Sequence, residues 1–139
     1  MASSSSGFRS KMARVKGLGA AHHGVSHWWW QRLTAVAMVP LSIWFVYSVV
    51  TVMLSSDVLK VAEWFASPIN TIMMVLLIAI AFFHAKLGVQ VVIEDYVKTP
   101  FMKYFLLIGN VFLCLLLTIV SIMAVLKMHL LDIISGGVL

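Results

Sequence analysis

His84 is an ionisable side chain in a stretch with almost no others. From Ile69 to Phe83 the residues are apolar apart from Asn70 and Thr71. If a helix starts near Pro68, His84 lies about sixteen residues, or ~24 Å, along it. An ionisable group at such a depth in a membrane segment is a functional hypothesis by default. Two chemistries suit it: a neutral imidazole bonded to a carbonyl or hydroxyl of a neighbouring helix, or an axial ligand to haem iron. Gly88 is four residues on and so shares the helical face. A small residue there clears space for a flat macrocycle beside a ligating imidazole, although such pairs also arise by chance. One histidine supplies one axial ligand. His22, His23 and His27 precede the first apolar span and His129 lies at the far end of the chain. None is a convincing second ligand by spacing, so a six-coordinate b-type haem would take its other imidazole from another subunit.

Asp95 follows His84 by eleven residues, about 20° away around a continuous helix, and Tyr96 is next to it. A phenol can donate to a quinone carbonyl, and a nearby carboxylate can orient it or deliver protons. The plain alternative is an interfacial aromatic beside a solvated helix end. Arg32 opens the first apolar span, where it either snorkels to phosphates or binds an anionic group between helices, for which a haem propionate is a natural candidate. Three tryptophans, Trp28, Trp29 and Trp30, precede it and read as interfacial anchors.

The elements that position these residues follow from composition. Of 139 residues, 62% are hydrophobic and 11% charged. A soluble domain is nearer half apolar and a quarter charged, and a chain this short cannot bury so much apolar surface in its own core. An ordinary soluble enzyme, a disordered tail and a nucleic-acid module are excluded. The expected fold is all-α and integral to a membrane, with three transmembrane helices at about 33–54, 68–92 and 101–126. Each is long enough to cross a hydrocarbon layer of ~30 Å. Pro40 lies inside the first span, Pro68 suits the first turn of the second, and Lys98-Thr99-Pro100 separates the second from the third. The connector between the first two spans reads as a short loop. Residues 1–26 form a basic, Ser-rich arm, and 27–139 the membrane domain. The single cysteine, Cys114, allows neither a disulfide nor a cysteine metal site within the chain.

The net charge of +5 reports orientation. Five Lys/Arg flank the first span on its N-terminal side, Lys60 alone lies in the first loop, Lys86, Lys98 and Lys103 belong to the second connector, and Lys127 follows the third span. The positive-inside bias places the N-terminus and second connector inside and the C-terminus outside. Arg32 and the His84–Tyr96 segment then lie on the same, inner side.

Gln31-Arg32-Leu33-Thr34-Ala35 at the first span, and His84-Ala85-Lys86-Leu87-Gly88 leading to Glu94-Asp95-Tyr96-Val97, closely resemble the hydrophobic anchor subunit family of succinate dehydrogenase, respiratory complex II. The resemblance covers residues 27 to 126 and implies specific roles. His84 ligates haem b, shared with a cytochrome b anchor subunit. Tyr96 hydrogen-bonds ubiquinone, with Asp95 linked to quinone protonation. Arg32 lies near the haem propionates, and Gly88 gives clearance. FAD and iron–sulfur clusters belong to the partner flavoprotein and iron–sulfur subunits, and this chain carries no dehydrogenase chemistry alone. Lys86 is expected to snorkel. The bilayer and ubiquinone are the remaining partners, and nucleic acid is not one. The expected membrane is the bacterial cytoplasmic one, on the reading that the basic arm is retained, with the mitochondrial inner membrane second. Two alternatives stand beside this: the anchor of a quinol:fumarate reductase, and a cofactor-free structural or transport subunit.

Overall fold

The computed structural model describes residues 21–54 and 58–134. Four α-helices follow in order: α1 (Ala21–Ser48), continued by a π-helical turn (Val49–Met53), α2 (Val58–Ala66), α3 (Pro68–Tyr96) and α4 (Pro100–Ile134). No strand occurs among the described residues. Three stretches, Val25–Val52, Pro68–Tyr96 and Pro100–Leu131, are long and apolar enough to cross a membrane, as expected for an all-α protein with three spans. The helices overrun the spans read from hydropathy. α1 begins at Ala21 rather than near Leu33, α3 continues to Tyr96, and α4 runs to Ile134. Helices do not stop where the hydrocarbon does; hydropathy marks the apolar part, while backbone hydrogen bonding carries the helix into the polar interface. The first twenty residues, most of the basic arm, lie outside the described residues.

α3 is the middle of a row. It packs on α4 along one side and on α1 along the other, while α1 and α4 do not meet among the described residues. Burial is correspondingly slight: 11%, 6% and 6% of the apolar windows of the three spans are buried within the chain. The buried apolar residues, Leu41, Leu87 and Ile93, lie on α1 and α3. Most of the Leu, Val, Ile and Phe side chains face outward, an arrangement that suits lipid or neighbouring subunits and would be a liability in water.

Several polar side chains within the spans are satisfied locally, as a hydrocarbon solvent favours. Thr51 donates to Tyr47 O at 2.9 Å and Thr118 to Cys114 O at 2.7 Å, both back-bonds to the preceding turn. Buried Asn110 donates to Lys86 O at 2.9 Å and ties α4 to α3. Pro40 lies within α1 without ending it.

The connector between the first two spans is not simply a loop, because α2 folds there against the end of the row. The pattern Val58-Leu59-Lys60-Val61-Ala62-Glu63-Trp64-Phe65 is a short amphipathic helix, and Trp64 stacks on Trp44 of α1 with centroids 5.7 Å apart. The last carbonyls of a helix lack intrahelical donors, and three side chains cover those of α2. Asn70 donates to Trp64 O at 3.0 Å, while Thr71 and His129 reach Phe65 O at 3.1 and 2.9 Å. Since a carbonyl only accepts, His129 donates from Nδ1. His129 therefore holds α2 to α4.

Replacing Asn110 with alanine leaves the Lys86 carbonyl without its interhelical donor. The expected loss is about 1 kcal/mol, read as a lower thermal midpoint in detergent with helical content unchanged.

Candidate functional site

In its N-terminal half, the face that α1 turns to α3 is polar. His27, Gln31 and Thr34 fall at i, i+4 and i+7, and so form one stripe. On α3 the opposing stripe is His84, Gly88 and Val91, at the same spacing. Thr34 is buried at 7% exposure, and its hydroxyl lies 2.8 Å from Trp30 O and 3.1 Å from Gln31 O. A hydroxyl has one hydrogen, and here it is committed to the backbone of its own helix. The 2.9 Å contact between Thr34 Oγ1 and His84 Nδ1 therefore runs the other way: His84 Nδ1–H donates and Thr34 accepts.

That bond fixes the tautomer. With the proton on Nδ1, the neutral imidazole presents a lone pair on Nε2. Gln31 Nε2 lies 3.2 Å from it and donates an amide hydrogen. The Gln31 side chain is poorly satisfied in this position, since its Oε1 is buried with no hydrogen-bond partner. His27 Nε2, one turn earlier on the stripe, is also buried without one. Both side chains line a groove of about 620 Å3 between α1 and α3, together with Trp28, Gly88, Gln90 and Glu94.

Gly88 is not demanded by helix packing. A β-carbon there would meet Gln31 Nε2 at 3.7 Å, an ordinary contact. The space that the glycine clears belongs to the groove.

Arg32 lies outside the groove. Its guanidinium stacks 4.9 Å above the ring of Trp28, and Trp28 in turn lies against Trp29. Trp30 packs edge-on against Phe83 of α3, so one tryptophan of the triplet joins α1 to α3. Asp95 and Tyr96 stand at the last turn of α3, ~18 Å along the helix from His84 for Tyr96. Tyr96 is 81% exposed. Asp95 lines a separate recess with Glu94, Lys98, Lys103 and Tyr104, where Lys103 Nζ donates to Glu94 O at 3.0 Å and closes the α3–α4 connection. This chain therefore does not bring Tyr96 and His84 into a common pocket.

Gln31 and Thr34 are the residues that sequence reasoning undervalued. Both stood in the motif at the start of the first span, but attention went to the charged Arg32. Their spacing from His27 was the available signal. No group of three or more His, Cys, Asp or Glu converges on a metal-ion site among the described residues.

Residues 7–120 match the family described as succinate dehydrogenase/fumarate reductase transmembrane subunit. Among curated relatives, the succinate dehydrogenase hydrophobic membrane anchor subunit of Rickettsia bellii is 34% identical over 118 residues, covering 85% of this chain and 94% of that protein. The subunit of the same description from Rickettsia conorii is 28% identical over 118 residues, covering 84% and 93%. No solved structure gives a significant match.

The tautomer is open to direct test. Nitrogen-15 NMR of histidine-labelled chain in detergent is expected to show His84 protonated on Nδ1. Thr34→Val, which removes the acceptor but keeps the volume, is expected to shift that resonance, and Thr34→Ser to restore it.

The matched span and the relatives' coverage carry one conclusion: the chain belongs to the succinate dehydrogenase/fumarate reductase transmembrane subunit family, as a relative of the hydrophobic membrane anchor subunits of succinate dehydrogenase.

Proposed function

We propose that this chain anchors a succinate:ubiquinone oxidoreductase in a bacterial cytoplasmic membrane, contributes one axial imidazole to a haem b, and forms part of the site where ubiquinone is reduced. The observation that carries the reading is the hydrogen-bond arrangement of His84. A ligating histidine characteristically donates its second ring N–H to an oxygen acceptor, which fixes the ring and raises its basicity. Thr34 is that acceptor for Nδ1, and the Nε2 lone pair points to a side chain, Gln31, whose own amide oxygen lacks a partner. The residues present therefore fit the group. His84 Nε2 would hold the iron, and Gln31 would turn aside. Gly88 leaves room beside the ring. Arg32, stacked on groove-lining Trp28, supplies positive charge for a propionate at the edge of the groove.

The haem, when bound, would supply a one-electron store. The rest is work for the chain's own side chains. Thr34 keeps the His84 proton on Nδ1, and the hydroxyl of Tyr96, exposed at the end of α3, donates to a quinone carbonyl brought against it by partner subunits. Asp95, in its recess beside Lys98 and Lys103, passes protons from water toward that carbonyl. The Lys/Arg distribution orients the Tyr96 end of α3 to the cytoplasm. There the flavoprotein and iron–sulfur subunits deliver electrons from succinate, and the second imidazole comes from the cytochrome b anchor subunit.

Both ring nitrogens of His84 have partners on α1, which also favours a second reading, in which His84 merely joins α1 to α3 and no haem is held. A dithionite-reduced minus oxidised spectrum of the complex purified through this chain separates the two. The expected result is a b-type band near ~560 nm that weakens or shifts in His84→Ala while Gln31→Leu retains it. A flat spectrum in the intact wild-type complex would favour the structural reading. In the same complex Tyr96→Phe is expected to lower quinone reduction by roughly tenfold, about what a lost hydrogen bond of 1.4 kcal/mol produces, with succinate oxidation by an artificial acceptor unchanged. Menaquinol-dependent fumarate reduction exceeding ubiquinone reduction would reassign the direction.

A further inference from the structure

Lys86 is a cation that the site above does not use. It lies two residues beyond His84, ~200° around α3, and so faces away from α1. On that side α3 and α4 enclose a groove of about 310 Å3 lined by Ala79, Phe82, Lys86, Val111, Leu115 and Thr118 among others. Its long axis follows the helices. From the level of Lys86 and Val111 it runs seven residues along each, ~10 Å, to Ala79 and Thr118, away from the Tyr96 end. The Lys86 ammonium lies 5.9 Å from the centroid of the Phe83 ring, near the outer limit for a cation–π contact. Among the described residues it makes no ion pair and no side-chain hydrogen bond. The hydroxyl of Thr118 and the thiol of Cys114 are already engaged on Cys114 O and Asn110 Oδ1, so the groove holds nothing anionic for it.

An ammonium within the hydrocarbon layer is costly unless it meets a counter-charge. The polar pair Gln90–Glu94, with Gln90 Nε2 donating to Glu94 Oε1 at 2.9 Å, marks the polar boundary at this end of α3. By helix rise Lys86 lies ~6 Å below Gln90, within the reach of a lysine stem. The occupant that fits is negative at the Lys86 end and apolar from there toward the middle of the membrane. We propose that this groove binds an anionic phospholipid of the leaflet at the Tyr96 end, with its phosphate on Lys86 and one acyl chain lying between α3 and α4. Bilayer lipid is favoured over a carboxylate from the second anchor subunit because the haem-sharing subunit is assigned, on the reading above, to the His84 face on the other side of α3.

The test is phospholipid retention by the whole complex, purified through this chain, washed in detergent and analysed by native and lipid mass spectrometry. Wild type and Lys86→Arg are expected to keep one anionic phospholipid per chain that Lys86→Gln loses. Ala79→Phe, which fills the apolar end of the groove and leaves the cation in place, is expected to lose it as well. Equal retention by wild type and Lys86→Gln would overturn the proposal. So would release of a subunit by Lys86→Gln, since the counter-charge would then be a protein carboxylate. Haem absorbance recorded on the same samples keeps the two readings apart: a wild-type complex without haem but with the lipid would remove the haem assignment and leave the lipid site standing.

Discussion

One hydrogen governs the arrangement: that of the Thr34 hydroxyl. With that hydrogen on the carbonyls of Trp30 and Gln31 of its own helix, Thr34 accepts from His84, which puts the imidazole proton on Nδ1. In water the two tautomers would exchange freely. In a span with few other polar partners, a single committed hydroxyl decides between them and leaves the lone pair on Nε2, the nitrogen that meets Gln31. The position of α1 against α3, the polar stripe His27–Gln31–Thr34 and the absence of a side chain at Gly88 all gain their significance from that choice.

The row of helices explains how such a small chain serves as a scaffold. α3 touches α1 on one side and α4 on the other, so its residues divide by face. His84 and Gly88 look toward α1, with Gly88 lining the groove, and Lys86 looks toward α4. Its last turn buries Ile93 but leaves Asp95 and Tyr96 exposed. With so little buried internally, the chain has few contacts of its own to define a rigid body, and α2 strengthens one end. Its carbonyls are capped by Asn70 and Thr71 of α3 and His129 of α4, and its Trp64 stacks on Trp44 of α1, which fastens the three together opposite the proposed quinone end. At the other end the Lys103–Glu94 link joins α3 to α4, and the polar stripe and the Trp30–Phe83 contact join α1 to α3.

Much of this was legible in the residues. Three long apolar runs with Pro68 and Pro100 at the helix starts required three spans, and an isolated imidazole at depth marked the site. The helix ends were less legible, since hydropathy falls away before the helix does, as at Ala21–Ser26 and at Gln90–Tyr96. The connector helix α2 was hidden because nine residues are too few for periodicity to distinguish a helix from a loop, and its stability comes from Trp44 and His129, which are distant in sequence. Arg32 drew attention as the charged residue, while the polar, uncharged neighbours Gln31 and Thr34 make the actual contacts with His84. Their importance depends on the rotation of α1 relative to α3, which local pattern does not specify. Tyr96 stands exposed at the end of α3, and on the proposed function partner subunits complete its pocket.

The central claim is that Thr34 sets the electronic character of a His84 that ligates iron. The most direct measurement is the haem midpoint potential of the assembled complex in wild type, Thr34→Ser and Thr34→Val. Losing the acceptor on Nδ1–H makes the imidazole a weaker donor and disfavours the ferric state. The account predicts a higher potential in Thr34→Val and a wild-type value in Thr34→Ser. Identical potentials in all three would contradict it.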